Sequence, residues 1–149
     1  MKPADDDPYD LQRFIAAQKS VYQEVREELR QGKKRSHWMW FIFPQIEGLG
    51  HSVMAQRYAI SSLAEARAYL EHPLLGTRLR ECTHLVAAAE GRSIDDIFGS
   101  PDNMKFRSSM TLFVTAAPDE AVFSDCLKKY FVGAPDAQTL ARIGAVNIP

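Results

Sequence analysis

His37-Trp38-Met39-Trp40-Phe41-Ile42-Phe43-Pro44-Gln45 is the stretch on which the fold turns. Its block of apolar and aromatic side chains is compatible with a buried strand or a short buried helix, and periodicity does not separate the two. No other segment reads clearly as a strand that could pair with it, and Ser36 is a suitable helix cap. The stretch therefore reads as a short helix. That choice makes the whole chain all-α.

The segments on either side agree. Upstream, Asp10 is a good N-cap, and Leu11, Phe14, Ile15, Tyr22, Val25 and Leu29 recur at helical spacing up to Gly32. Gln18 sits inside that apolar stripe, while Lys19, Gln23, Arg26, Glu27 and Arg30 form the solvated face. Lys33, Lys34 and Arg35 follow, where cations suit the carbonyl end of a helix. Downstream, Ser52 opens a short helix, Ser62-Leu63-Ala64-Glu65 fits a capping box, and Pro73 suits the first turn of the next helix. That helix carries Leu75, Leu79, Cys82, Leu85, Val86 and Ala89 and runs to Gly91; Ser93 to Asp96 is a second box-like start. Pro101-Asp102, Pro118-Asp119 and Pro135-Asp136 recur at a spacing of seventeen, each placed to begin a helix of about three turns. The expectation is a single compact domain over 9–149, of seven or eight helices with short connections, after a flexible lead over 1–8.

Composition narrows the function classes. The 149 residues are 46% hydrophobic, enough for one core without disulfides or metal. Lys and Arg number 18 against 19 for Asp and Glu, so bulk positive charge does not grip a nucleic acid. No apolar run approaches the roughly 20 residues that span a bilayer. Two cysteines, both in apolar stripes, read as small core residues, and the setting expected is cytoplasmic. The four histidines are scattered, so no metal site and no cofactor is expected.

Three groups of residues could carry chemistry. Trp38, Trp40 and Phe43 could stack a planar ligand, with Gln45 presenting an amide to its edge, or could simply be core. Gly48-Leu49-Gly50-His51-Ser52 leaves backbone N–H groups before a helix, but lacks the third glycine of a dinucleotide fingerprint. After Pro101, Phe106, Met110 and Phe113 fall on one helix face, while Asp102, Lys105, Ser108 and Ser109 gather on another at offsets of three and four. Lysine precedes serine here, the reverse of the Ser-x-x-Lys order of nucleophilic hydrolases. His37 and Asp102 are the candidate proton acceptors.

The order Phe43-Pro44-Gln45, Gly48-Leu49-Gly50, Ser52, Glu65-Ala66, Tyr69-Leu70, His72-Pro73-Leu74, Arg78-Leu79, Lys105 and Ser108-Ser109-Met110-Thr111-Leu112-Phe113 resembles the bacterial domain-of-unknown-function family eighteen-ten. The resemblance runs from Tyr9-Asp10-Leu11 to Thr139-Leu140 and implies one all-α domain. Members often carry the genome label "calpastatin", which fits poorly: a disordered protease inhibitor does not have this hydrophobic content or these helix caps. A looser similarity is to NADAR-type domains, helical proteins associated with NAD and ADP-ribose that cleave N-glycosidic bonds. It rests on Gln18-Lys19 and the tryptophan-rich segment, and no glutamate lies beside Gln18 on the apolar face.

The function expected is binding of a small, nucleotide-like or ADP-ribose-like molecule. Trp38, Trp40 and Phe43 would form the walls, and Gln45, Ser52, Lys105, Ser108 and Ser109 the polar ends. Hydrolysis of that molecule is the enzymatic form of this reading, and a non-catalytic protein-interaction module the alternative.

Overall fold

Ten helices follow one another in the residues that the computed structural model describes, 7–147. They are α1 (Gln12–Lys19), α2 (Tyr22–Arg30), α3 (Met39–Ile42), α4 (Val53–Arg57), α5 (Leu63–Glu71), α6 (Pro73–Ala88), α7 (Ile94–Phe98), α8 (Asp102–Ala116), α9 (Ala121–Phe131) and α10 (Ala137–Asn147). Among the described residues there is no strand, only a single parallel bridge between Ile46 and Ile60. The aromatic stretch does form a helix, α3, of one turn. No described helix is long and apolar enough to cross a membrane.

The count exceeds the expected seven or eight, partly because the first long helix is two. Its stripe breaks at Ser20 and Val21, a residue that competes for backbone hydrogen bonds followed by a β-branched one. The break lets α1 pack on α3 while α2 lies along α6. Asp10 is not the cap, because its φ is +52° and it belongs to the preceding turn. Asp7 does that work from further back, accepting the Leu11 and Gln12 amides at 2.7 and 2.9 Å. Of the expected flexible lead, residues 1–6 lie outside the described residues, and Asp7 is an anchor.

Local signals end and start most other helices. Gly32 takes φ +74° and its amide bonds the Leu29 carbonyl, while Lys33 reaches back to Glu28, closing α2. Ser62 accepts the Glu65 amide, Ser93 and Asp96 form a reciprocal capping box, and His72 Nδ1 accepts two amides ahead of Pro73. Each Pro-Asp pair precedes or enters a helix start: α8, α9 and α10.

The core is built around α8, whose Phe106, Met110, Leu112 and Phe113 are fully buried. It packs against α5, α7, α9 and α10, so apolar contacts surround most of its circumference. Aromatic rings continue the core outward. Phe106 meets Phe43 edge-on at 5.0 Å and Phe98 stacked at 4.9 Å, while Tyr69 and Phe123 flank Phe113 at 5.7 and 5.8 Å. Each such pair adds about 0.5–1.5 kcal/mol beyond the area it buries.

Candidate functional site

The aromatic stretch divides between core and surface, and one buried carboxylate sets the division. Glu28 leaves α2 pointing inward. It accepts the Arg35 and Ser36 amides at 2.7 and 3.0 Å, the Ser36 hydroxyl at 2.5 Å and the Trp38 indole N–H at 2.9 Å. Burial alone would push this carboxyl up, but hydrogen bonds from Ser36, the Arg35 amide and Trp38 prevail and hold it at about 2. Trp38 is thereby drawn into the core, where it meets Phe43 and Phe98. Trp38 and Phe43 are 1% and 0% exposed, so their rings belong to the core, a correction to their expected role as walls of an open pocket. Trp40, two residues on, points the other way. Of residues 38–43 it is the one not fully buried.

Beyond α3 the chain is pinned by the Glu47 amide on the Ile60 carbonyl and the Ile60 amide on the Gln45 carbonyl, both 2.8 Å. That bridge holds Gln45 at the mouth of two adjoining cavities, which also share Gly50. The first, of about 250 Å³, has Trp40, Tyr58, Ala55 and Glu47 among its walls. The second, of about 290 Å³, lies against α8 and the start of α10, with Met104, Lys105, Ser108, Asp136 and Gln138. Either alone falls below the roughly 300–1,000 Å³ of small-molecule pockets; joined, they enter that range. The Gln45 amide has no hydrogen-bond partner among the described residues.

The charged groups here are held in a particular way. Asp102 pairs through one oxygen with Lys34 at 2.9 Å and through the other with Lys105 at 3.6 Å. Each lysine also lies over a tryptophan: Lys34 over Trp38 at 5.1 Å, Lys105 over Trp40 at 5.0 Å. Ser108 shares its hydroxyl proton between the Met104 carbonyl at 3.1 Å and Asp136 Oδ2 at 3.2 Å. The same Asp136 oxygen accepts the Thr139 amide and hydroxyl, capping α10. Further along α10, Arg142 donates to the Glu47 carbonyl at 3.1 Å, and its guanidinium lies where a side chain on Gly48 would stand; Gly48 also takes φ +94°, which favours glycine.

Four expected site residues therefore come together: Trp40, Gln45, Lys105 and Ser108. The others do not. Ser52 is exposed and caps α4 through the Ala55 amide. Ser109, next to Ser108 but about 100° around the helix, is fully buried with no partner for its hydroxyl. His37 is exposed and lines neither cavity, and Asp102 is committed to two lysines.

Sequence reasoning overlooked Asp136 and Gln138. Asp136 had a visible signal as a helix start, but its contact with Ser108 spans two helices. Gln18 is fully used by structure: its amide donates to the Phe41 carbonyl and the Tyr69 hydroxyl, and its oxygen accepts from Arg78. Burial pushes the Cys82 and Cys126 thiols up to about 12, so neither is a ready nucleophile. No group of three or more potential metal ligands occurs among the described residues.

Comparison with known proteins adds to this geometry. The profile of the family described as "Protein of unknown function (DUF1810)" matches residues 8–143. Among solved structures, the chain is similar to the conserved hypothetical protein Rv1873 from Mycobacterium tuberculosis. The two are 58% identical with a TM-score of 0.90, over 91% of this chain and 96% of that one. No protein of curated function matches the sequence.

Proposed function

The chain belongs to the DUF1810 family of proteins of unknown function, and from that premise we propose that it binds a small ligand in the joined cleft around Gln45. One observation carries the reading. Gln45 and Ser108, distant in sequence, line one concave cavity together with Lys105, and that cavity opens beside the half-exposed Trp40. An indole, a free amide, a cation and hydroxyl-accepting groups at the mouth suit a molecule with a planar ring and a charged, hydroxylated part, as in a nucleotide or ADP-ribose.

Hydrolysis of such a ligand finds less support. His37 and Asp102, the acceptors expected for it, stand outside both cavities, and Asp136 Oδ2 already accepts three hydrogen bonds. The interaction-module alternative rests on the exposed Val132, Met104 and Leu140, and scattered apolar side chains of this kind are normal on a surface.

A thermal-shift screen against nucleotides, NAD and ADP-ribose tests the reading. A ligand at about 100 times its dissociation constant stabilises the fold by roughly 2.7 kcal/mol. Trp40→Ala and Lys105→Ala should abolish the shift. A panel that leaves the melting temperature unchanged, or variants that respond like the parent, refutes it.

A further inference from the structure

The Lys34–Asp102–Lys105 triplet is unevenly balanced. One carboxylate serves two ammonium groups, so the cluster keeps one positive charge. The two lysines are also unequally held. Lys34 is 9% exposed with its partner oxygen at 2.9 Å, whereas Lys105 is 26% exposed with its partner at 3.6 Å. Lys105 is thus the looser cation, and it is the one that lines a cavity. The acidic residue of that cavity, Asp136, turns an oxygen to Ser108 and to the first turn of α10. Meanwhile the Lys105 ammonium covers the Trp40 ring, which belongs to the neighbouring cavity.

We propose that Lys105 is a displaceable cover on Trp40: an anionic group of the ligand draws its ammonium away from Asp102, and the indole face so freed receives the ligand's planar part. The proposal rests on the cleft reading above and goes further by making anion recognition the condition for ring recognition. A phosphate or carboxylate competes well for an ammonium that is only loosely paired, since a charge-assisted hydrogen bond is about twice as strong as a neutral one. Asp102 keeps Lys34 after the exchange, so no carboxylate is left without a counter-charge. A neutral planar molecule has nothing to draw Lys105 aside, and it meets a covered indole. The cleft accordingly selects molecules that carry ring and anion together, such as a nucleoside monophosphate, over either piece alone.

Calorimetric titration of the full chain with AMP, adenosine and inorganic phosphate decides the matter. The parent should bind AMP at least about tenfold more tightly than adenosine. In Lys105→Met, which keeps the aliphatic stem of this partly exposed side chain, the order should reverse: AMP weakens and adenosine binds more tightly than it does to the parent. Lys105→Arg, retaining the charge, should restore the preference for AMP. AMP should also change the tryptophan emission of the parent but not of Trp40→Phe, because Trp38 stays in the core. Adenosine binding that is unchanged or weakened in Lys105→Met overturns the cover while leaving the cleft in place. A parent that binds neither AMP nor adenosine overturns both.

Discussion

Replacing Glu28 by Gln removes the charge that holds the segment between α2 and α3 while keeping the side chain's shape. In the native protein its carboxylate sits at about 2 against an ordinary 4.5. A depression of that size corresponds to about 3 kcal/mol of stability, since each pKa unit is about 1.36 kcal/mol. The sign follows from the folded value being the lower one. The contribution is fully present above about pH 4.5 and is lost as pH falls through about 2. Between pH 7 and pH 3 the parent should forfeit about 2 kcal/mol through this group alone. Glu28→Gln should be less stable than the parent by about 3 kcal/mol at pH 7, with the gap narrowing to about 1 at pH 3. Other carboxylates titrate alike in both proteins, so the gap isolates this one. Urea unfolding followed by tryptophan emission measures it, because Trp38 leaves the core on unfolding. A gap that stays constant from pH 7 to pH 3 would show that the ionised carboxylate is not the source, and the reasoning would fail.

Two further substitutions probe backbone geometry. A Cβ on Gly76 would stand 2.0 Å from the Leu70 carbonyl oxygen, backbone that cannot swing aside. Gly76→Ala should therefore cost about 2 kcal/mol or more in urea unfolding, despite alanine's higher helix propensity, and a more stable variant would refute the close approach of α5 and α6. Val132 takes φ +57° at the end of α9 while 96% exposed, so it bears left-handed strain without packing in return. Val132→Gly should raise stability by about 1 kcal/mol in thermal unfolding, and a lowered melting temperature would count against it.

What could be read from the chain alone was what depends on near neighbours. Ser62, Ser93, Pro73 and Gly32 act within a turn of where they stand, and their roles follow from residue type and spacing. Glu28 looks like one more charged residue in an acidic and basic helix, because its partners lie on a loop whose return path is not written locally. Asp7 capping α1 past Asp10 is the same case on a smaller scale. In the aromatic stretch, composition marked where to look but not which tryptophan faces out. That is decided by a hydrogen bond from Trp38 to a different helix. The cleft was half legible: Gln45, Lys105 and Ser108 stand out by chemistry, whereas Asp136 and Gln138 enter only through the docking of α10 on α8.

That docking bears on the order in which the molecule can be made. Arg142 meets the Glu47 carbonyl across 95 residues, and Asp136 and Gln138 line the second cavity. A nascent chain emerging from the ribosome has every aromatic ring of the core before it has α10. The aromatic residues of the core can therefore come together first, yet the cleft lacks its second wall until α10 has been added. A translation product interrupted before Asp136 would carry the aromatic residues of the core without Ile143 and without that wall of the cleft. Completion of that wall thus depends on α10 rather than on the aromatic core.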